Sequence, residues 1–65
     1  MTPSEFLAAR AALGLTQGAL SSALGCGRRS VQYWEDGGRV IPGPVALLIR
    51  LLVAHPELLA ELSET

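Results

Sequence analysis

The stretch Thr16-Gln17-Gly18-Ala19-Leu20-Ser21-Ser22-Ala23-Leu24-Gly25-Cys26-Gly27-Arg28-Arg29-Ser30-Val31-Gln32-Tyr33-Trp34-Glu35-Asp36-Gly37 decides how this chain folds. Thr16 is placed to cap a helix over residues 17–24, because its hydroxyl can accept an otherwise unpaired N–H of the first turn. Leu20, Ala23 and Leu24 form that helix's inward stripe, and Gly25 supplies a left-handed stop. Cys26-Gly27 leaves almost no room before a further helix over about 28–35, which Gly37-Gly38 closes. Two helices joined by a turn of three or four residues containing Gly make a helix-turn-helix.

Outside this stretch the punctuation is equally regular. Thr2-Pro3-Ser4-Glu5 has the form of a capping box with Pro at the first helical position, and Gly14 ends the helix that follows. Arg39 to Gly43 reads as an irregular loop. Pro44 then opens a fourth helix over about 44–54. His55-Pro56 breaks the chain, and Pro56 opens a last helix over about 56–62. No run alternates apolar and polar long enough to predict a strand. The expected fold is all-α: a compact five-helix domain over residues 1–65, with the helix-turn-helix at about 16–36 and the C-terminal helices at about 44–63.

The chain has 65 residues, 49% hydrophobic, with a formal net charge of −1. This length holds one small domain, and such a chain buries only about 60% of its unfolded surface. A lone copy is therefore expected to be marginally stable. The single Cys excludes an internal disulfide or a thiolate zinc cage and suits a reducing compartment. Charge is segregated: Arg10, Arg28, Arg29 and Arg39 face only Glu35 and Asp36 in the middle of the chain, whereas Glu5, Glu57, Glu61 and Glu64 outnumber Arg50 elsewhere. A basic middle is thus hidden by an acidic remainder. Residues 1–10 lack the basic and apolar regions of a signal peptide. The apolar run at 45–54, interrupted by Arg50, falls short of the roughly 20 residues a membrane span needs. A soluble, cytoplasmic protein with no membrane partner is expected.

The third helix carries the functional signal. With about 100° per residue and Arg28 at the origin, Gln32 falls near about 40°, Arg29 near about 100° and Tyr33 near about 140°. Val31 and Trp34 lie on the opposite side, near about 300° and 240°. One face docks and the other presents Arg28, Arg29, Gln32 and Tyr33. These suit readout of the major groove: Arg to guanine O6/N7, Gln to adenine N6/N7, and Tyr to a thymine methyl or a phosphate. The second helix can aim its free N-terminal N–H groups, with Gln17, at a phosphate.

The same residues resemble the Cro/C1-type (XRE-like) helix-turn-helix repressors. The pattern Thr16-Gln17-x-x-Leu20-x-x-x-Leu24-Gly25-Cys26-Gly27-x-x-x-Val31-x-x-Trp34-Glu35-x-Gly37 follows that family nearly position for position, and Arg10-x-x-Leu13-Gly14-Leu15 matches the end of its first helix. The likeness covers about residues 3–54. It implies double-stranded DNA as the partner, with Arg28, Arg29, Gln32 and Tyr33 facing bases or nearby backbone. Gln17 and Arg39 would meet phosphates, with Thr16 and Ser30 completing the backbone-facing set. The small size and the run from Arg39 to Pro44 look like the compact phage and mobile-element branch, which includes anti-CRISPR-associated autorepressors and some antitoxins. Two departures stand out. Gly27 occupies a position where most members carry Ser or Thr, and Gly18, Ala19, Ser21 and Ser22 replace the usual polar and charged helix formers. Few cations remain on the second helix, so a modest salt dependence is expected.

The remaining chemistry-bearing residues read as structural. Trp34, opposite the arginines, belongs to the core. Glu35 is expected to hydrogen-bond inside the domain or to the indole. Cys26 reads as a buried, inert thiol. His55 has no companion at metal-ligand spacing and reads as a helix C-terminal residue favourable to the dipole. There is no paired carboxylate, nucleophile–base pair or phosphate loop, so neither an enzyme, a cofactor nor a metal site is expected.

The fourth helix is apolar on nearly every side, and three short helices can cover only part of it. What they leave exposed suggests a second copy of the chain, docking through Leu47, Leu51, Leu58, Leu59 and Leu62. A two-fold dimer would set two recognition helices about 34 Å apart, which predicts an inverted-repeat operator. The expected function is a DNA-binding transcriptional repressor, acting as a homodimer on its own promoter. The alternative is an antitoxin or interaction module whose leucine-rich C-terminal helices bind a partner protein.

Overall fold

The capping box at the start of the chain is formed. In the computed structural model, which describes residues 1–63, Thr2 Oγ1 accepts the Glu5 N–H at 3.1 Å and Glu5 Oε1 accepts the Thr2 N–H at 2.8 Å. This fixes the start of α1 (Pro3–Leu13), with Pro3 in the first turn, where no N–H is needed. Gly14 ends α1 at φ +70°, donating back to Ala11 and Arg10. Thr16 caps α2 (Gln17–Leu24) by accepting the Ala19 N–H at 3.1 Å, and Gly25 ends it at φ +71°. Gly27, without a side-chain cap, leads into α3 (Arg28–Asp36), which ends at Gly37, φ +83°. These bounds match the expected ones to within a residue.

The last two helices depart slightly from expectation. α4 (Gly43–Ala54) begins at Gly43, one residue before the position expected, because Pro42 adopts the extended N-cap backbone. α5 (Leu58–Ser63) begins two residues later than Pro56. His55 and Pro56 instead spend their carbonyls on a tight turn, accepting from Leu58 at 3.0 Å and from Leu59 at 3.1 Å. Among the described residues the fold is all-α, five helices with no strand. No helix there is long and apolar enough to cross a membrane.

α1 packs on α3 and α4, while α2 packs on α3 and α5. α3 is therefore the central element, and its buried residues are the two expected, Val31 and Trp34. The Trp34 ring meets Phe6 of α1 edge to face, with centroids 5.8 Å apart and planes at 62°. Leu20, Ile41, Ala46 and Ile49 complete this cluster, and Leu52 is also fully buried. Cys26 is half-buried against the core, not fully buried as expected, because it sits in the turn between α2 and α3, and desolvation pushes its thiol pKa up. α2 presents Ser21 to the interior, where its hydroxyl donates to the Gly18 carbonyl at 2.7 Å. Ser21 is thus not on the exposed side of α2.

Candidate nucleic-acid interface

Anchored by Val31 and Trp34, α3 turns its other face to solvent. Arg28, Arg29 and Gln32 are exposed, Tyr33 and Ser30 half-buried. Among the described residues, the side chains of Arg28, Arg29 and Gln32 enter no hydrogen bond or ion pair. Two uncompensated guanidinium groups and an amide lie along one exposed strip. That combination is the donor set that base edges in a major groove accept. The strip comes from the sequence pattern itself: β-branched and aromatic residues at 31 and 34 take the inside, leaving 28, 29 and 32 outside.

Glu35 of α3 joins a polar network that the expected roles only partly anticipate. Glu35 does bond within the domain, to Arg10 and Gln17 and not to the indole. The Arg10 guanidinium grips both carboxylate oxygens, Nε on Oε2 and Nη2 on Oε1 at 3.2 Å, while Nη1 donates to the Leu15 carbonyl at 3.0 Å. Gln17 Nε2 donates to Glu35 Oε1 at 2.8 Å. Burial works against the Glu35 charge, but the hydrogen bonds from Arg10 and Gln17 outweigh it and hold the carboxyl below its ordinary value. One Gln17 amide hydrogen is thereby committed inward, and the amide nitrogen retains a second for an outside acceptor.

The residues expected to meet the DNA backbone lie in α2, α3 and the loop after α3, with Thr16 at the N-cap of α2. Thr16 is exposed at the N-terminus of α2 and its hydroxyl is the cap acceptor. Ser30 lies in the first turn of α3. Arg39 is exposed in the loop after α3, its guanidinium stacked over the Tyr33 ring at 4.8 Å, a contact not anticipated from the sequence. An arginine six residues after a tyrosine, across a glycine-closed helix end, is the pattern that could have signalled it.

The proposed docking leucines are distributed over two helices. Leu47 and Leu51 of α4 are 59% and 43% exposed, one turn apart on its outer side. Leu58, Leu59 and Leu62 of α5 are half-buried. His55 caps the C-terminus of α4, with Nδ1 3.5 Å from Glu57 Oε1 at the surface.

No protein-family model matches the chain. It is 28% identical over 64 residues to "Antitoxin HigA-2" of Vibrio cholerae serotype O1. The match takes in 98% of this chain and 62% of that protein, so the chain spans less than two thirds of its relative's length.

Proposed function

We propose that this chain is a sequence-specific double-stranded DNA-binding regulator, a repressor that occludes a promoter, its own being the first to test. The observation that carries this reading is the exposed α3 strip of Arg28, Arg29 and Gln32, whose donors have no partner within the described residues. Gln17, Thr16, Ser30 and Arg39 flank the strip as backbone contacts. A homodimer formed through Leu47, Leu51 and α5 presents two such strips to successive major grooves, on an inverted repeat with half-sites about 34 Å apart. The mechanism is occupancy alone, with no catalysis and no cofactor.

Footprinting on the DNA upstream of the protein's own gene tests this. Two protected half-sites related by a two-fold axis are expected. Arg28→Ala or Arg29→Ala should each cost about 1–3 kcal/mol and relax base preference, whereas Gln17→Ala should weaken all sequences alike. Equal losses on operator and random DNA for every variant would remove the assignment of roles.

A second reading is supported by the likeness to Antitoxin HigA-2. In it, the exposed apolar side of α4 covers a partner protein. Co-expression with the product of a neighbouring toxin-sized reading frame decides it: a stable stoichiometric complex supports an antitoxin, and separate elution removes it. The α3 strip is untouched by such a partner, whereas the second copy and the partner would compete for the same exposed side of α4.

A further inference from the structure

Tyr33 and Arg39 meet where α3 gives way to the loop that leads to α4. The Arg39 guanidinium carbon lies 4.8 Å from the centroid of the Tyr33 ring, over its face. The Tyr33 carbonyl accepts the N–H groups of Gly38 at 2.9 Å and of Arg39 at 3.4 Å. The residue that carries the ring therefore also anchors the backbone that delivers the guanidinium. Gly38 lets them approach: a Cβ there would stand 3.2 Å from Tyr33 Cδ1 and 3.0 Å from Asp36 Oδ1. Asp36 Oδ1 accepts the Gly38 N–H at 2.8 Å, which helps fix the same turn. Arg39 makes no ion pair among the described residues. Two residues on, Ile41 is buried in the core and pins the far end of the segment.

A ring whose face is covered by a guanidinium is poorly placed to lie against a thymine methyl. A long, flexible arginine, on the other hand, loses rotamer freedom whenever it grips a phosphate, and prior stacking removes part of that loss. We infer that Tyr33 is a positioning residue: its ring holds the Arg39 guanidinium ready for a backbone phosphate, and Tyr33 itself reads no base. The inference rests on the DNA-binding reading above and assigns Tyr33 away from the base-reading set expected from the helical wheel.

The test is a double-mutant cycle. Affinities of the wild type, Tyr33→Phe, Tyr33→Leu, Arg39→Ala and Tyr33→Leu with Arg39→Ala are measured on the footprinted operator and on random duplex, across a salt series. Tyr33→Leu keeps apolar bulk, and Tyr33→Phe keeps the ring, so folding and stacking are separated. Tyr33→Phe should bind like the wild type. Tyr33→Leu should bind about two- to fivefold more weakly on both duplexes, the loss of one exposed cation–π contact. Arg39→Ala should lower the salt slope by about one, and adding Tyr33→Leu to it should change nothing more. A Tyr33→Leu loss confined to the operator, a loss in Tyr33→Phe, or the same Tyr33→Leu loss with and without Arg39 overturns the inference while leaving DNA binding intact. A wild-type protein that binds no duplex removes the DNA reading itself, and the inference with it.

Discussion

Arg10 and Glu35, 25 residues apart, form a two-point guanidinium–carboxylate contact that ties α1 to α3. The Glu35 side chain is 9% exposed and that of Arg10 19%. Removing one partner strands the other. Arg10→Ala should destabilise by about 2–3 kcal/mol, somewhat less than the loss of one member of a fully buried pair, because Arg10 keeps contact with water. Chemical denaturation of the two proteins measures it. In a domain this small that is a large share of the total.

The same contact sets a pH dependence. Because the folded Glu35 pKa is depressed, its contribution is complete above the ordinary glutamate value of about 4.3 and is lost as pH falls through the lower folded value. Glu5, held low by the Thr2 cap, adds in the same direction. Melting temperature should therefore be flat near neutrality and fall on acidification. Glu35→Gln should be less stable at neutral pH and less acid-sensitive. Parallel acid profiles for the two proteins would show that Glu35 is not the group responsible.

Two glycines in the helix-turn-helix should respond to alanine with opposite signs. Gly25 stands at φ +71° with open space around its Cβ position, so Gly25→Ala pays only the left-handed backbone penalty, about 1–2 kcal/mol. Gly18 lies within α2, also with open space, and Gly18→Ala should stabilise by about 0.5–1 kcal/mol. Thermal melts of the two variants should move to either side of the wild type.

Leu47→Asp and Leu51→Asp place a charge on side chains that are 59% and 43% exposed and outside the buried core, so each variant should stay folded. If α4 is the dimer face, sedimentation should give half the wild-type mass, and operator affinity should drop with it. A wild-type mass retained by both variants locates the interface elsewhere.

What could be read in advance was whatever depends on neighbours in sequence. Thr2, Thr16, Gly14, Gly25 and Gly37 act within a few residues of themselves, so the first three helices end where their caps say. The inward turn of Val31 and Trp34 follows from helical period alone. Side-chain partners across elements were less legible. That Glu35 binds Arg10 and draws in Gln17 depends on how α1 and α2 cross α3, which no local spacing encodes. The Arg39–Tyr33 stack depends likewise on the path of a loop through Gly38. The late start of α5 came from a competition that Pro56 alone does not announce, between opening a helix and closing the turn after His55.

The division of α3 into an anchored side and an idle side has an evolutionary corollary. Arg28, Arg29 and Gln32 hold nothing together, and replacing surface side chains of that kind usually moves stability by no more than about 0.5 kcal/mol either way. Three codons can therefore drift while the scaffold feels almost none of it, whereas drift at Arg10 or Glu35 is checked by the stability it costs.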